Sequence, residues 1–310
     1  MMELFDTHCH IHFPDYELDP QEVISAAQAD GVTQLLCVGC TLPDSLAAIE
    51  LAAHHDNIWA TIGLHPHEGA RYVHDHRALQ QFRQLAQDHA QPPRLGEVQG
   101  DGEEQSESYG LYGERVPEPA TQQFAKSTNR VSGSARKQVG VARKVVAIGE
   151  TGLDYYYSHA PKEDQRKLLR FQLAVATEHD LPLIFHVREA FTDFWQVLDD
   201  YPGVRGVVHS FTAGRAELEQ VLKRGLFIGL NGIVTFTKSE EQLATAKMVP
   251  LDRLLLETDA PFLTPVPYRG KICQPKYVVE IAKFLAELRH ESLGELAQAT
   301  TRNARTLFKR

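Results

Sequence analysis

Short apolar runs alternate along the chain with longer stretches in which apolar residues recur every three or four positions. The short runs are rich in β-branched residues and have the length of buried strands, whereas the longer stretches have the period of amphipathic helices. Eight strands are predicted in this way, with the sequences ELFDTH, QLLCVGC, IWATIGLHP, KVVAIGE, LPLIFHV, GVVHSF, LFIGLNG and LLLETDAP.

Most of the predicted strands are followed by a predicted helix, for example from Pro43, from Arg166 and from Arg215. Pro43 suits a first helical turn, and Gly225 suits the end of a helix. Eight strand-then-helix units predict an α/β protein, a (β/α)₈ TIM barrel. An open doubly wound sheet would carry a glycine-rich phosphate loop after its first strand, and the sequence contains neither GxGxxG nor a Walker pattern.

The alternation is interrupted once, by the segment from Gln91 to Arg143. This segment is rich in Gly, Ser, Glu, Gln and Pro and is much longer than an ordinary connection, so we interpret residues 91–143 as a low-complexity, flexible insertion. An arm that contacts a partner or the substrate is the alternative, supported by an acidic first part (EEQSES) and a basic second part (ARKQVGVARK). With 43% hydrophobic residues, the chain is otherwise expected to form one barrel domain, residues 1–310.

The formal net charge of -9 disfavours a protein that coats nucleic acid by general electrostatics, because neutralising many phosphates needs clustered Lys and Arg. It is compatible with an enzyme that holds one or two phosphates, since bound cations would reverse the local field. The first residues have no signal-peptide pattern, and no apolar run is long enough to span a bilayer. We therefore expect a cytoplasmic protein without membrane association, and no obligate protein partner is evident.

The four cysteines are scattered, and the one close pair, Cys37 and Cys40, lies in an apolar run. A redox or zinc pair is possible for a CxxC sequence, but a zinc site would need a second pair nearby. We interpret both as ordinary buried thiols.

The segment FDTHCHIHF, residues 5–13, places three histidines at every second position. In an extended strand His8 and His10 share one face while Cys9 points to the other. Two imidazoles on one strand can hold a divalent ion, but two ligands do not make a site. A histidine-rich turn is the alternative for this segment taken by itself.

The carboxyl ends of the strands form the active site of a barrel of this kind. A single histidine or aspartate at a strand end is usually a hydrogen-bonded structural residue or the start of a turn. Here six of the eight predicted strands carry such residues, and this joint placement favours a shared metal-binding pocket. The residues are His8 and His10, His65 and His67, Glu150, His186, His209 and Asp259.

Seven segments in this order resemble the TatD-related metal-dependent deoxyribonuclease family of the amidohydrolase superfamily: FDTHCHIHF, GLHPH, IGETGLDYYY, PLIFHVREA, VVHSFTA, LLLETDAPFLTPVPYRGK and TRNARTLF. The resemblance spans nearly the whole chain apart from the insertion. It implies a barrel with two divalent ions bridged by Glu150, and it implies that His12 is not a ligand. The implied ligands are His8, His10, Glu150 and Asp259 for one ion, and Glu150, His186 and His209 for the other.

The activity implied by the resemblance is a deoxyribonuclease that removes nucleotides from strand ends, with DNA as substrate and RNA as the alternative substrate. Two metal ions would activate a water molecule and stabilise charge on the phosphoryl oxygens. Asp259 would orient this water and accept its proton. Glu257 would support a ligand, or else be a buried structural carboxylate.

The identity of the two divalent ions is only partly fixed by the ligands. Imidazoles with carboxylates suit zinc, manganese or iron, whereas magnesium prefers oxygen ligands. Because nucleases of this family are associated with magnesium, we expect Mg, Mn or Zn.

Substrate contacts are predicted just beyond the strand ends. His65 and Arg188 would donate to a phosphate, although Arg188 would equally pair with Glu189 at the surface. Arg269 is a further candidate, with a solvated loop cation as its alternative. Tyr155 to Tyr157 would either stack on bases or pack against the next helix.

Two other functions are compatible with the same residues. The activated water would also attack a carbonyl carbon, as in a hydrolase of another ester or amide, such as an aminoacyl ester on transfer RNA. A catalytically silent barrel used as a binding module is the second alternative, against which the complete set of ligands argues.

Overall fold

The computed structural model describes residues 3–90 and 143–309. Within these residues eight parallel strands form one sheet whose order follows the chain. A bridge between Cys9 and Ala260 joins the first strand to the end of the last, so the sheet is a nearly closed barrel. The strands are β1 (Leu4–Cys9), β2 (Val32–Cys37), β3 (Ile58–Ile62), β4 (Val145–Asp154), β5 (Leu183–Arg188), β6 (Gly206–Val208), β7 (Phe227–Leu230) and β8 (Leu254–Leu256).

Helices alternate with the strands and cover the outside of the barrel, which confirms the predicted (β/α)₈ fold. Two α-helices follow β3, and two more complete the chain after β8. The helices of the described residues are α1 (Pro20–Ala29), α2 (Leu42–Ala53), α3 (Gly69–Tyr72), α4 (His76–His89), α5 (Lys162–Glu178), α6 (Phe191–Leu198), α7 (Arg215–Lys223), α8 (Glu240–Met248), α9 (Val278–Arg289) and α10 (Leu293–Phe308).

The local sequence explains where these helices begin and end. The Thr41 hydroxyl accepts the backbone N–H of Asp44 and caps α2, and Pro43 lies in the first turn as predicted. Helix α7 ends two residues before Gly225, which has a φ of 71° that glycine adopts without strain.

Apolar side chains form two packed layers. The larger layer lies between strands and helices, where parallel strands are buried on both faces. The smaller cluster combines inward-facing residues of the strands with the last turn of α10, and it fills the interior of the barrel. Phe5 of β1 and Phe308 of α10 pack in this cluster with ring centroids 6.1 Å apart, at the end opposite the carboxyl ends of the strands.

The register between neighbouring strands shifts at four points of the described sheet, and two of these shifts lie beside the carboxyl end of the barrel. Between β1 and β2, Asp6 pairs with Leu35 but Cys9 with Cys37, so β1 has an extra residue within this interval. Between β4 and β5, Ile148 pairs with Leu183 but Thr151 with Phe185, so β4 also bulges. Bulges of this kind redirect a side chain, and they are frequent beside active sites.

Strand β4 is longer than the sequence indicated. The predicted strand KVVAIGE ended at Glu150, but β4 continues to Asp154. Placing Glu150 at a strand end was therefore wrong, because the polar TGLD segment was not recognised as strand. Asp154 stands at the carboxyl end instead.

The predicted insertion, residues 91–143, lies outside the described residues except for Arg143. Among the residues that are described, no helix combines the length and the apolar character needed to cross a bilayer.

Candidate metal centre

The six predicted metal ligands lie together at the carboxyl end of the barrel. Glu150 is at the centre of the group, and its side chain is only 6% exposed. Imidazoles surround it from both sides, and three overlapping sets of possible ligand atoms each fit within 4.8 Å. The three sets are His8, His209 and Asp259; His8, His10 and Glu150; and His65, Glu150 and His186.

The two oxygens of Glu150 face different neighbours. Oε2 lies 3.5 Å from Nε2 of His8. Oε1 lies 2.8 Å from Nδ1 of His186 and 2.9 Å from Nε2 of His209. A carboxylate placed in this way can offer one oxygen to each of two neighbouring cations.

On the Oε2 side the ligand atoms come from β1 and from the segment after β8. Nε2 of His8 is 3.1 Å from Nε2 of His10, so the two imidazoles share a face as the spacing predicted. Oδ1 of Asp259 is 3.6 Å from the first of these nitrogens and 3.3 Å from the second. Three donor atoms thus surround one small space beside Glu150.

On the Oε1 side the sequence had assigned His65 to the substrate, but its Nε2 is only 3.4 Å from Glu150 Oε1. His65 belongs to a possible ligand set with Glu150 and His186. The ring of His209 stacks on that of His8 with centroids 4.0 Å apart, which connects the two sides of the centre.

Bulges, a close approach at a glycine and a left-handed residue of the backbone determine the directions of these side chains. The bulges of β1 and β4 fall at the intervals that contain His8 and Glu150. Gly152 brings β4 against β5 so closely that a Cβ there would lie 1.9 Å from the carbonyl oxygen of His186. Asp259 has a φ of 63°, a left-handed conformation, and its backbone N–H donates to the His8 carbonyl oxygen at 2.8 Å.

Two imidazole rings, those of His10 and His186, each use one nitrogen for a hydrogen bond outside the centre. The other nitrogen of each ring is then available to bind a cation. Nδ1–H of His10 donates to the Val38 carbonyl oxygen at 2.7 Å, which in a neutral ring leaves Nε2 free to act as a ligand. His186 donates from Nε2 to Asp154 Oδ2 at 2.8 Å, which frees its Nδ1 in the same way. In the buried His209, Nε2 lies 2.9 Å from Glu150 Oε1 and Nδ1 lies 3.5 Å from Glu257 Oε1, but within the described part of the chain neither nitrogen is aligned for a hydrogen bond. The donor set therefore fits divalent cations.

The charges of the centre support the same conclusion. Burial alone would raise the pKa of Glu150, but the charge of His209 and a hydrogen bond from His186 hold it well below its usual range. Burial also opposes ionisation of Asp259, whereas a hydrogen bond from His10 lowers its pKa. Despite burial, Glu150 raises the pKa of His209. In the absence of metal, the protonated imidazoles balance the charge of the two carboxylates. A bound cation would take over this role and displace the protons.

Three further residues of the centre were missed or left open by the sequence. Asp154 was not predicted, because it follows four residues that resemble a turn. Glu257 was left open, and its Oε1 accepts the backbone N–H of Ser210 at 2.5 Å and lies 3.5 Å from Nδ1 of His209. Cys37 is fully buried as expected, but the prediction that Cys40 is an ordinary buried thiol was wrong: Cys40 is half-buried, because it follows the end of β2, and its Sγ lies 3.6 Å from Glu150 Oε2. All four cysteines are free.

The remaining candidates lie around the mouth of the barrel. Arg188 is exposed, and the predicted pairing with Glu189 is absent from the ion pairs of the described chain. The Arg269 guanidinium lies over the Phe236 ring at 3.8 Å and donates to the Thr264 carbonyl oxygen at 2.7 Å. His12 lies beside Phe13 and does not occur in the possible ligand sets of the described residues.

Asp154→Asn is expected to weaken metal binding about 10- to 100-fold, because the carboxylate that orients His186 would lose its charge. Metal titration by calorimetry measures this loss, with kcat as a second readout. Asp200→Asn, which removes an exposed partner of Arg170, is the matched control. Equal affinity in the Asp154 and Asp200 variants would contradict the orienting role.

A TIM barrel with clustered imidazoles and carboxylates at its carboxyl end defines the class of metal-dependent hydrolases. Residues 5–309 match the family model described as TatD related DNase. The chain belongs to this family, which confirms the resemblance, and it is a metal-dependent hydrolase that acts on ester bonds.

Similar proteins cover the chain from end to end. The "Uncharacterized metal-dependent hydrolase YabD" of Bacillus subtilis (strain 168) is 32% identical over 99% of both chains. The "3'-5' ssDNA/RNA exonuclease TatD" of Citrobacter rodentium is 29% identical, with 98% of this chain and 97% of that one covered. The crystal structure of YJJV, a TatD homologue of Escherichia coli, superposes with a TM-score of 0.75 at 27% identity, covering 99% and 98% of the two chains.

Proposed function

We propose that the protein is a divalent-metal-dependent nuclease that hydrolyses phosphodiester bonds at the ends of single-stranded DNA, with RNA as the second candidate substrate. The central observation is the position of Glu150, whose two carboxylate oxygens face different imidazoles, Oε2 that of His8 and Oε1 those of His186 and His209. The name of the Citrobacter rodentium relative supports the choice of substrate.

The proposed ligands of two divalent ions, Mg, Mn or Zn, are the six residues of the centre. His8, His10 and Asp259 would hold one ion, His186 and His209 the other, with Glu150 between them. When bound, such ions lower the pKa of water and neutralise charge on a phosphoryl group.

The protein side chains supply the positioning and the proton transfer. Asp259 is 15% exposed at the surface of the pocket, where it would accept the proton of the attacking water. His65 is positioned to contact a phosphate or to complete the metal site. Arg188 and Arg269 would contact phosphates further out, since a guanidinium has several N–H groups to offer.

The test is an assay of the full-length protein on end-labelled single-stranded DNA and RNA, after removal of metals and reloading with Mg, Mn or Zn. We expect a ladder of products shortened from one labelled end, lost with a chelator and restored by metal. An ester such as p-nitrophenyl acetate and an aminoacyl transfer RNA are assayed in parallel. Turnover of these two alone would refute the nuclease proposal.

A further inference from the structure

Two exposed tyrosines and an arginine form a cluster at the mouth of the barrel, outside the metal centre. Tyr156 and Tyr157 are 53% and 49% exposed, although large aromatic rings are usually buried. Tyr155, by contrast, packs inward and its hydroxyl donates to Asp193 at 2.7 Å. Of the three tyrosines considered for base stacking, Tyr155 is thus packed within the protein, and Tyr156 and Tyr157 are exposed.

Arg188 lies against both exposed rings. Its Cζ is 4.2 Å from the centroid of Tyr156 and 4.7 Å from that of Tyr157, and the two rings stand nearly perpendicular, at 89°. The guanidinium lies on one side of each ring. Tyr157 also stacks on His159, with centroids 5.7 Å apart and planes 15° from parallel, so its exposed area lies mainly on its edges. The ring of Tyr156 is the more exposed of the two. We call Tyr156, Tyr157 and Arg188 the aromatic platform.

The aromatic platform is fixed to the metal centre by Asp154. Its Oδ1 accepts the backbone N–H groups of Tyr156 and Tyr157, both at 3.0 Å. Its other oxygen, Oδ2, accepts Nε2–H of His186 at 2.8 Å. One carboxylate thus sets the position of both tyrosines relative to a proposed metal ligand.

The second connection runs along β5. Arg188 follows His186 by two residues in the same strand, so it points to the same face about 7 Å further out. That separation is on the scale of one nucleotide. A group bound at the platform would therefore be the nearest neighbour of the group at the metal centre.

We propose that the aromatic platform binds the unpaired base of the terminal nucleotide of a single-stranded substrate by stacking, which rests on the proposed nuclease function. Every base offers a π-face, so such a site accepts any sequence but requires an unstacked, unpaired base. Arg188 carries a positive charge without a carboxylate partner among residues 3–90 and 143–309, which suits the phosphate backbone beside that base. The platform makes single strands, rather than duplexes, the preferred substrate.

The experiment compares two single-stranded oligodeoxynucleotides that differ only at the terminal nucleotide, which either carries a base or is abasic. For the wild-type, metal-loaded protein we expect kcat/KM to be about tenfold higher with the base present. In the double variant Tyr156→Ala, Tyr157→Ala this ratio should fall close to one. The variant Tyr156→Phe, Tyr157→Phe keeps the rings and should keep the ratio.

Leu46→Ala, which removes an exposed side chain of α2, is the control for general surface effects. The proposal is overturned if the alanine variant keeps the wild-type ratio, or if the phenylalanine variant loses it. Binding of the same oligonucleotides is also measured by fluorescence anisotropy with a chelator present, where cleavage does not occur. A preference for the base-bearing end in binding, without turnover by the wild-type protein, would refute the nuclease function and leave the platform standing.

Discussion

Glu150→Gln is expected to abolish binding of the metal ions and to lower kcat at least about 10³-fold. An amide has a single oxygen to offer, and its NH₂ group would face the imidazoles on one side. The variant also removes a negative charge that lies between the two groups of imidazoles. Metal content by mass spectrometry and kcat on single-stranded DNA measure the two effects.

Glu219→Gln is the matched control, since Glu219 forms an exposed ion pair with Arg215 on α7. Circular dichroism verifies that both variants keep the barrel. If the Glu150 variant retained the metal content of the wild type, the bridging role would be ruled out.

Asp259→Asn is expected to keep the fold and, because the amide oxygen can still act as a metal ligand, to keep the metal ions. We expect kcat to fall about 10²- to 10⁴-fold, with a small change in KM. Asparagine tolerates the left-handed backbone conformation as well as aspartate does, and the backbone N–H bond to His8 remains. What disappears is the carboxylate that, in the proposed function, would accept a proton from the attacking water.

Asp252→Asn serves as the comparison, because Asp252 is exposed before β8, at the opposite end of the strand. Near-normal turnover of the Asp259 variant would remove this residue from the proton-transfer role. A parallel loss of metal would instead assign Asp259 to metal binding alone.

The order of the strands and the grouping of the ligands could both be predicted from the sequence. Parallel strands that are buried on both faces appear in the sequence as continuous apolar runs, so the number of strands can be counted from the sequence. In a barrel all carboxyl ends face the same way, so residues that follow different strands must meet. This is why His8, His209 and Asp259 could be placed together although they are far apart in the chain.

The path of β4 could not be predicted, because its second half has few apolar residues. Gly149 and Gly152 are typical of turns, yet here they allow a bulge and a close approach to β5. The sequence prediction ended the strand four residues too early. Asp154 was therefore not recognised as a residue at a strand end. The direction of the Tyr156 and Tyr157 rings depends on that same carboxylate and was therefore also left open.

The bulges have a consequence for anyone who wishes to transplant this centre. The six side chains, grafted onto an ideal barrel with evenly matched strands, would not meet, since without the extra residue every following side chain of β4 would turn to the opposite face. The geometry of the centre therefore depends on the number of residues in the bulged strands as well as on the identity of the ligands. A design must copy both.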